Sequence, residues 1–132
     1  MIPRHANIRI GRPTDKLAEI TKMYMEGLGF EVIGAFDDHE GFSGRMVGHP
    51  KHHYHLEFTT HPKEKAGRAP SPEHLLIFYL PDEKDYQNAM QRLKRSQFKQ
   101  VTAFNPYWDT HGTTFEDLDG YRLVIAQAPS PF

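Results

Sequence analysis

The sequence contains no cysteine, which excludes a disulfide frame, a thiolate nucleophile and any thiolate metal site, and suits a reducing compartment. Long hydrophobic runs are missing too. The longest apolar stretch, Leu75 to Leu80, falls far short of the roughly 18–20 residues that cross a bilayer, and the start, Met1-Ile2-Pro3-Arg4-His5, lacks the apolar core of a secretory signal. We therefore expect a cytoplasmic protein with no membrane partner. Nor does one sign of charge prevail. Sixteen basic against 17 acidic residues leave a net charge of −1, so the electrostatic footprint of a nucleic-acid binder is absent. The chain holds no phosphate-binding loop, no G-x-G-x-x-G, no H-E-x-x-H and no G-x-S-x-G, which argues against phosphate-loop, zincin and serine-hydrolase chemistry. Lys94-Arg95 and the Lys63, Lys65, Arg68 group read as solvated surface.

What the sequence does contain is a repeat. Its 132 residues suit one domain, yet two segments share their punctuation. A short strand around Ile8 and Ile10 meets Pro13. Thr14 or Asp15 then caps a helix carrying Leu17, Ile20, Tyr24 and Leu28 on one face, which Gly27 and Gly29 end. In the second half the strand Leu75 to Leu80 meets Pro81, and Asp82 caps a helix with Tyr86, Ala89, Met90 and Leu93 at helical spacing. The caps Asp15 and Asp82 lie 67 residues apart, as do Leu56 and Leu123, and Phe30 and Phe98 lie 68 apart. Three extended pieces follow each helix: Glu31 to Phe36, Arg45 to Val47 and Tyr54 to Thr59, then Gln100 to Phe104, Thr113 to Glu116 and Tyr121 to Gln127. Each half reads β-α-β-β-β, with module 1 over about residues 1–61, a connector rich in proline over 62–73, and module 2 over about 74–132, within one domain of 132 residues.

A four-stranded sheet with a helix on one face still has a second face to cover, and pairing two such units would set those faces around a shared concavity. Period-2 alternation assigns Ile8, Ile10, Leu56, Phe58, Leu76, Phe78, Leu80, Leu123 and Ile125 to the helices. Their alternates, Asn7, Arg9, His55, Glu57, Thr59, Leu75, Ile77, Tyr79 and Val124, then face the concavity. Such a lining suits a small molecule.

In this arrangement the sequence resembles the vicinal oxygen chelate superfamily, the group of glyoxalases, bleomycin-resistance proteins and extradiol dioxygenases. The likeness rests on Lys22-Met23-Tyr24-Met25-Glu26-Gly27-Leu28-Gly29-Phe30, on His55-Leu56-Glu57-Phe58 and on Phe115-Glu116-Asp117-Leu118-Asp119-Gly120-Tyr121. Leu118 stands where the family favours proline. The resemblance implies an α+β fold, two βαβββ modules forming a cupped mixed sheet around one pocket, and a homodimer. It also implies four metal-ligand positions, which fall on Asn7, Glu57, Leu75 and Val124. Glu57 is a good ligand, Asn7 a poor one, and leucine and valine have no donor atom, so the usual metal site is missing and no metal cofactor is expected. A slip of one residue would put His74 in place of Leu75, but it would turn Leu76, Phe78 and Leu80 away from their helix.

Five histidines, His49, His52, His53, His55 and His61, sit within thirteen residues around the Leu56 strand. Same-face neighbours on a strand are nearly 7 Å apart, too far for several to converge on one ion, and a histidine-rich solvated entry to the strand is the plainer reading. His55 and Glu57 remain candidates for binding a ligand or moving a proton. Arg9, of the same parity, is the expected partner of Glu57, either as a structural ion pair or as a substrate contact. Tyr79 and Trp108, the latter in Asn105-Pro106-Tyr107-Trp108-Asp109, are the aromatic candidates, as core plugs or as platforms for a planar ligand. Two functions follow. In the first, similar to the bleomycin-resistance branch, the protein binds a small amphipathic or aromatic molecule through Asn7, Arg9, His55, Glu57, Tyr79 and Trp108 without a metal. In the second, a metal-dependent lyase, isomerase or dioxygenase, a divalent ion is held by Glu57 with His5, His55 or His74.

Overall fold

Period-2 alternation and the two helical segments produce the same small architecture twice. The computed structural model describes residues 1–132 and divides into two units, residues 1–25 with 29–67 and residues 26–28 with 68–132. The first unit runs β1 (Ile8–Pro13), α1 (Leu17–Leu28, whose last turn belongs to the second unit), β2 (Glu31–His39), β3 (Phe42–Gly48) and β4 (Tyr54–Thr60). Its sheet has the order β1-β4-β3-β2, with β1 parallel to β4 and the other neighbours antiparallel. The second unit runs β5 (Leu75–Tyr79), α2 (Glu83–Arg95), β6 (Lys99–Val101), α3 (Tyr107–His111), β7 (Gly112–Glu116) and β8 (Arg122–Ala126), in the order β5-β8-β7-β6 with β5 parallel to β8. The two orders are the same plan. Pro13 fits because β1 is an edge strand, where a missing N–H costs no ladder bond.

The helix-facing half of the sheet makes the core of the first unit, whereas in the second unit β8 is buried on both faces, Val124 and Ala126 included. In the first unit Val47, Leu56 and Phe58 are buried, as are Ile20, Met23 and Tyr24 of α1. The Tyr24 ring lies 4.9 Å from that of Phe58, and buried Arg12 donates to the Tyr24 hydroxyl at 3.3 Å. Ile8 does not join this core: it is 59% exposed, the first residue of an edge strand with a neighbour on one side only. In the second unit Phe115, Leu123 and Ile125 are buried with Met90 and Leu93 of α2, and the hydroxyls of Tyr86 and Thr113 are 3.1 Å apart. Fully burying one such leucine or phenylalanine contributes about 1.5–3 kcal/mol.

Three local expectations need correction. Neither Thr14 nor Asp15 caps α1. The N-cap is Lys16, with no side-chain cap bond; Thr14 accepts from the Lys16 N–H, and the Asp15 carboxylate accepts from the N–H groups of Ala66 and Gly67 at 2.8 and 3.0 Å. Asp82 does cap α2, accepting from the Asp85 N–H. Gly27 does not end α1 but lies inside it, where a Cβ would come within 2.6 Å of the Phe98 ring; Gly29, at φ 72°, is the left-handed cap. Finally, the strand expected over Gln100 to Phe104 stops at Val101, because the Ala103 N–H bonds to Asp109 instead of continuing a ladder. Tyr107 and Trp108 lie in the short helix α3.

Candidate functional site

Strand pairing gathers three of the sequence-predicted residues on the helix-free face of the first sheet. Arg9 on β1 stands opposite His55 on β4, and Glu57 follows two residues along, on the same side of the pleat. The Arg9 Nε–H donates to His55 Nε2 at 3.0 Å and Nη1–H to Glu57 Oε2 at 3.2 Å. His55 Nε2 is thus an acceptor, which leaves Nδ1 to carry the hydrogen of the neutral ring. The Glu57 side chain is 19% exposed and that of Arg9 51%. A pair so open to water contributes about 1 kcal/mol or less, so the fold has little need of it. Beside it, the Met46 side chain lies across Gly34 and the Phe36 ring across Gly44, giving the same face an apolar portion. These two residues were not singled out in the sequence. Their signal is glycine at Gly34 and Gly44 inside strands, which marks close approach by another group.

Around this trio the remaining histidines disperse. The His49 ring meets Phe30 at 5.2 Å and His52 at 5.3 Å, while the His61 ring packs on Phe42 at 4.7 Å and its Nδ1 accepts from the Lys63 N–H. Asn7 is exposed one residue before β1. Burial pushes the Tyr54 hydroxyl pKa up. The two backbone N–H bonds, from Ala66 first and then Gly67, hold the Asp15 carboxyl below the usual range.

In the second unit a cavity of about 210 Å³ opens on the side of the sheet away from α2, with Leu75, Trp108, Phe104, Thr114, Arg122 and Glu73 in its walls. Trp108 is brought there by α3 and the turn before it. Asn105 Oδ1 accepts from the Tyr107 N–H, the Trp108 N–H bonds to the Asn105 carbonyl, and Asp109 ties back to Ala103. Tyr79, at the end of β5, is half-buried and is not part of this wall. Arg122 donates from Nε to Glu116 at 3.0 Å, and Glu116 also meets Arg68 at 3.3 Å.

The strand registers relate the two units. Leu75 stands opposite Arg122 on β8 as Arg9 stands opposite His55 on β4, so the residue of the first unit that corresponds to Leu75 is Arg9 and not Asn7. The ligand positions that the resemblance implies are Asn7, Glu57, Leu75 and Val124. One carboxylate, one amide and two hydrocarbon side chains do not fit a divalent ion, which needs three or four N, O or S donors. No group of three or more histidine, aspartate or glutamate side chains is placed to hold a metal ion elsewhere in the chain. The better donors, His55 Nε2 and Glu57 Oε2, both face the Arg9 guanidinium instead.

Comparison with known proteins follows the same two-part division. A YycE-like N-terminal domain matches residues 8–59 and a YycE-like C-terminal domain residues 73–127. The uncharacterized protein YycE of Bacillus subtilis is 43% identical over 120 residues, which cover 91% of this chain and 86% of that protein. The crystal structure of a Bacillus subtilis YycE protein of unknown function superposes with a TM-score of 0.87 at 40% identity, covering 96% of this chain and 93% of that one. The fold is shared more distantly with the fosfomycin resistance protein FosX of Mesorhizobium loti (TM-score 0.70, 11% identity, 98% of this chain and 94% of that one). It is shared also with a glyoxalase I mutant of Zea mays (TM-score 0.72, 17% identity, 96% of this chain and 47% of that one). The repeat, its strand order and these matches agree: the chain belongs to the YycE-like family and shares its fold with FosX and glyoxalase I.

Proposed function

We propose that this protein binds a small amphipathic or aromatic molecule on the sheet faces away from α1 and α2, using side-chain charge where metal-dependent relatives use an ion. The observation that carries this reading is the Arg9 guanidinium bonded to both His55 and Glu57. A divalent ion would have to displace that cation and would gain one carboxylate and one imidazole, too few for stable coordination. The trio is too exposed to stabilise the fold appreciably, so a polar ligand contact accounts for it better than a structural role does. His55, with Arg9 on Nε2, offers a ligand its Nδ1–H, and Arg9 keeps guanidinium N–H groups for an acceptor.

The test is metal analysis of untagged protein purified without chelators, beside a thermal-shift screen of varied small molecules. We expect less than stoichiometric metal, and a melting temperature raised by at least one aromatic or amphipathic compound, an effect reduced in Glu57→Ala. Stoichiometric metal that disappears in Glu57→Ala would overturn the proposal in favour of a metal-dependent enzyme.

A further inference from the structure

The cavity of the second unit carries a narrower conclusion about what is bound. Thr113 and Thr114 are neighbours on β7 and point to opposite faces. The Thr113 hydroxyl meets Tyr86 of α2. Thr114, 1% exposed and part of the cavity wall, has a buried hydroxyl with no hydrogen-bond partner. A buried polar group left unsatisfied costs about 1–3 kcal/mol, a cost that a ligand able to accept from it would offset.

Arg122 shares that wall. Its side chain is 16% exposed, and its bonds are Nε to Glu116 and Nη1 to the Thr102 carbonyl at 3.4 Å. A guanidinium has five N–H donors, so Nη2 remains without a partner. A hydroxyl and a partly buried guanidinium, both lacking acceptors beside one cavity, suit a carboxylate, which can take bonds on both oxygens. Glu73, the acidic residue of the wall, is exposed and keeps its charge hydrated. The remaining wall holds the Asn105 amide and otherwise apolar side chains, among them two aromatic rings, Trp108 and Phe104, with Phe104 61% exposed. A volume of about 210 Å³ is smaller than the roughly 300–1,000 Å³ of drug-sized sites, which limits the occupant to a single ring.

We infer that the second-unit cavity binds a small planar aromatic carboxylate, its ring against Trp108 and its carboxylate on the Thr114 hydroxyl and Arg122. This rests on the small-molecule reading above and names the ligand class for it. Trp108 is the single tryptophan of the chain, so its fluorescence reports on this wall.

The full-length protein is titrated with benzoate, with benzamide as the uncharged planar analogue and with cyclohexanecarboxylate as the non-planar acid, following Trp108 fluorescence and melting temperature. Benzoate is expected to change the fluorescence saturably and to raise the melting temperature, with each analogue binding at least about tenfold more weakly, as loss of a charge-assisted hydrogen bond or of ring stacking predicts. Thr114→Val keeps the shape and removes the hydroxyl. It should weaken benzoate about tenfold without lowering the melting temperature of the free protein, an outcome that a merely structural threonine would not give. Benzamide binding as tightly as benzoate, or Thr114→Val leaving benzoate affinity unchanged, would overturn the inference. If benzoate is silent while other screened compounds raise the melting temperature, the ligand class is wrong and small-molecule binding stands. Silence across the whole screen removes both.

Discussion

The two units share a scaffold and differ in what they present on the face away from the helix. Leu56 and Leu123 lie at corresponding places, both fully buried, and β1 pairs with β4 as β5 pairs with β8. Beside them the correspondence breaks: Arg9, His55 and Glu57 of the first unit are matched by Leu75, Arg122 and Val124 in the second. The first face concentrates hydrogen-bonding charge near solvent; the second carries hydrocarbon, an indole and a buried hydroxyl around a cavity. A repeated fold therefore constrains one side of each strand and leaves the other free to take different chemistry.

The strongest way to sharpen this comparison is to cut both cores at matched points. Leu56→Ala and Leu123→Ala should each destabilise by about 2–5 kcal/mol, measured by urea denaturation. If one costs less than about 1 kcal/mol, the two cores are not equivalent. Helix starts offer a smaller contrast. Asp82→Ala removes a cap bond and should cost about 1 kcal/mol, whereas Lys16→Ala removes no cap bond and should stay within about 0.5 kcal/mol of the parent. The polar face comes next: Arg9→Met should change stability by less than about 1 kcal/mol while shifting the His55 imidazole nitrogen resonances, because Nε2 loses its donor. A large stability loss there would make the trio structural.

The last contrast concerns pH. Asp15 is held below its ordinary value of 3.8 by the Ala66 and Gly67 N–H groups. Its ionised form is therefore the one favoured by the fold. The resulting stabilisation is present above the unfolded value and is lost as pH falls through the lowered folded value. Asp15→Asn should accordingly narrow the difference between stability at neutral pH and stability in acid. The second unit has no counterpart to this contact at Asp82, whose carboxylate serves its own helix.

Much of the scaffold was legible because alternation and helical spacing are written in residue type: Leu56 and Phe58 are buried as parity requires, and the Asp82 cap follows from its place before Glu83, whereas β8 is buried on both faces and alternation does not show there. The Arg9, His55 and Glu57 contact was legible for the same reason, since parity and adjacency of β1 to β4 bring them together. The strand register was less so. Asn7 and Arg9 have the same parity, and only pairing distinguishes which one stands beside His55. Asp15 was misread because an acid before a helix has two uses, capping its own N–H groups or taking distant ones, and Ala66 lies 51 residues away. The second-unit cavity was invisible in its most telling member, because a threonine in a strand gives no sign that its hydroxyl has no partner.

The strand β4 condenses these relations into seven residues. Because Leu56 and Phe58 answer to the packed interior while His55 and Glu57 answer to whatever approaches from outside, tolerance to substitution along it should rise and fall at every step. A saturation scan scored for abundance would trace one set of teeth, and the same scan scored for ligand capture would trace the other.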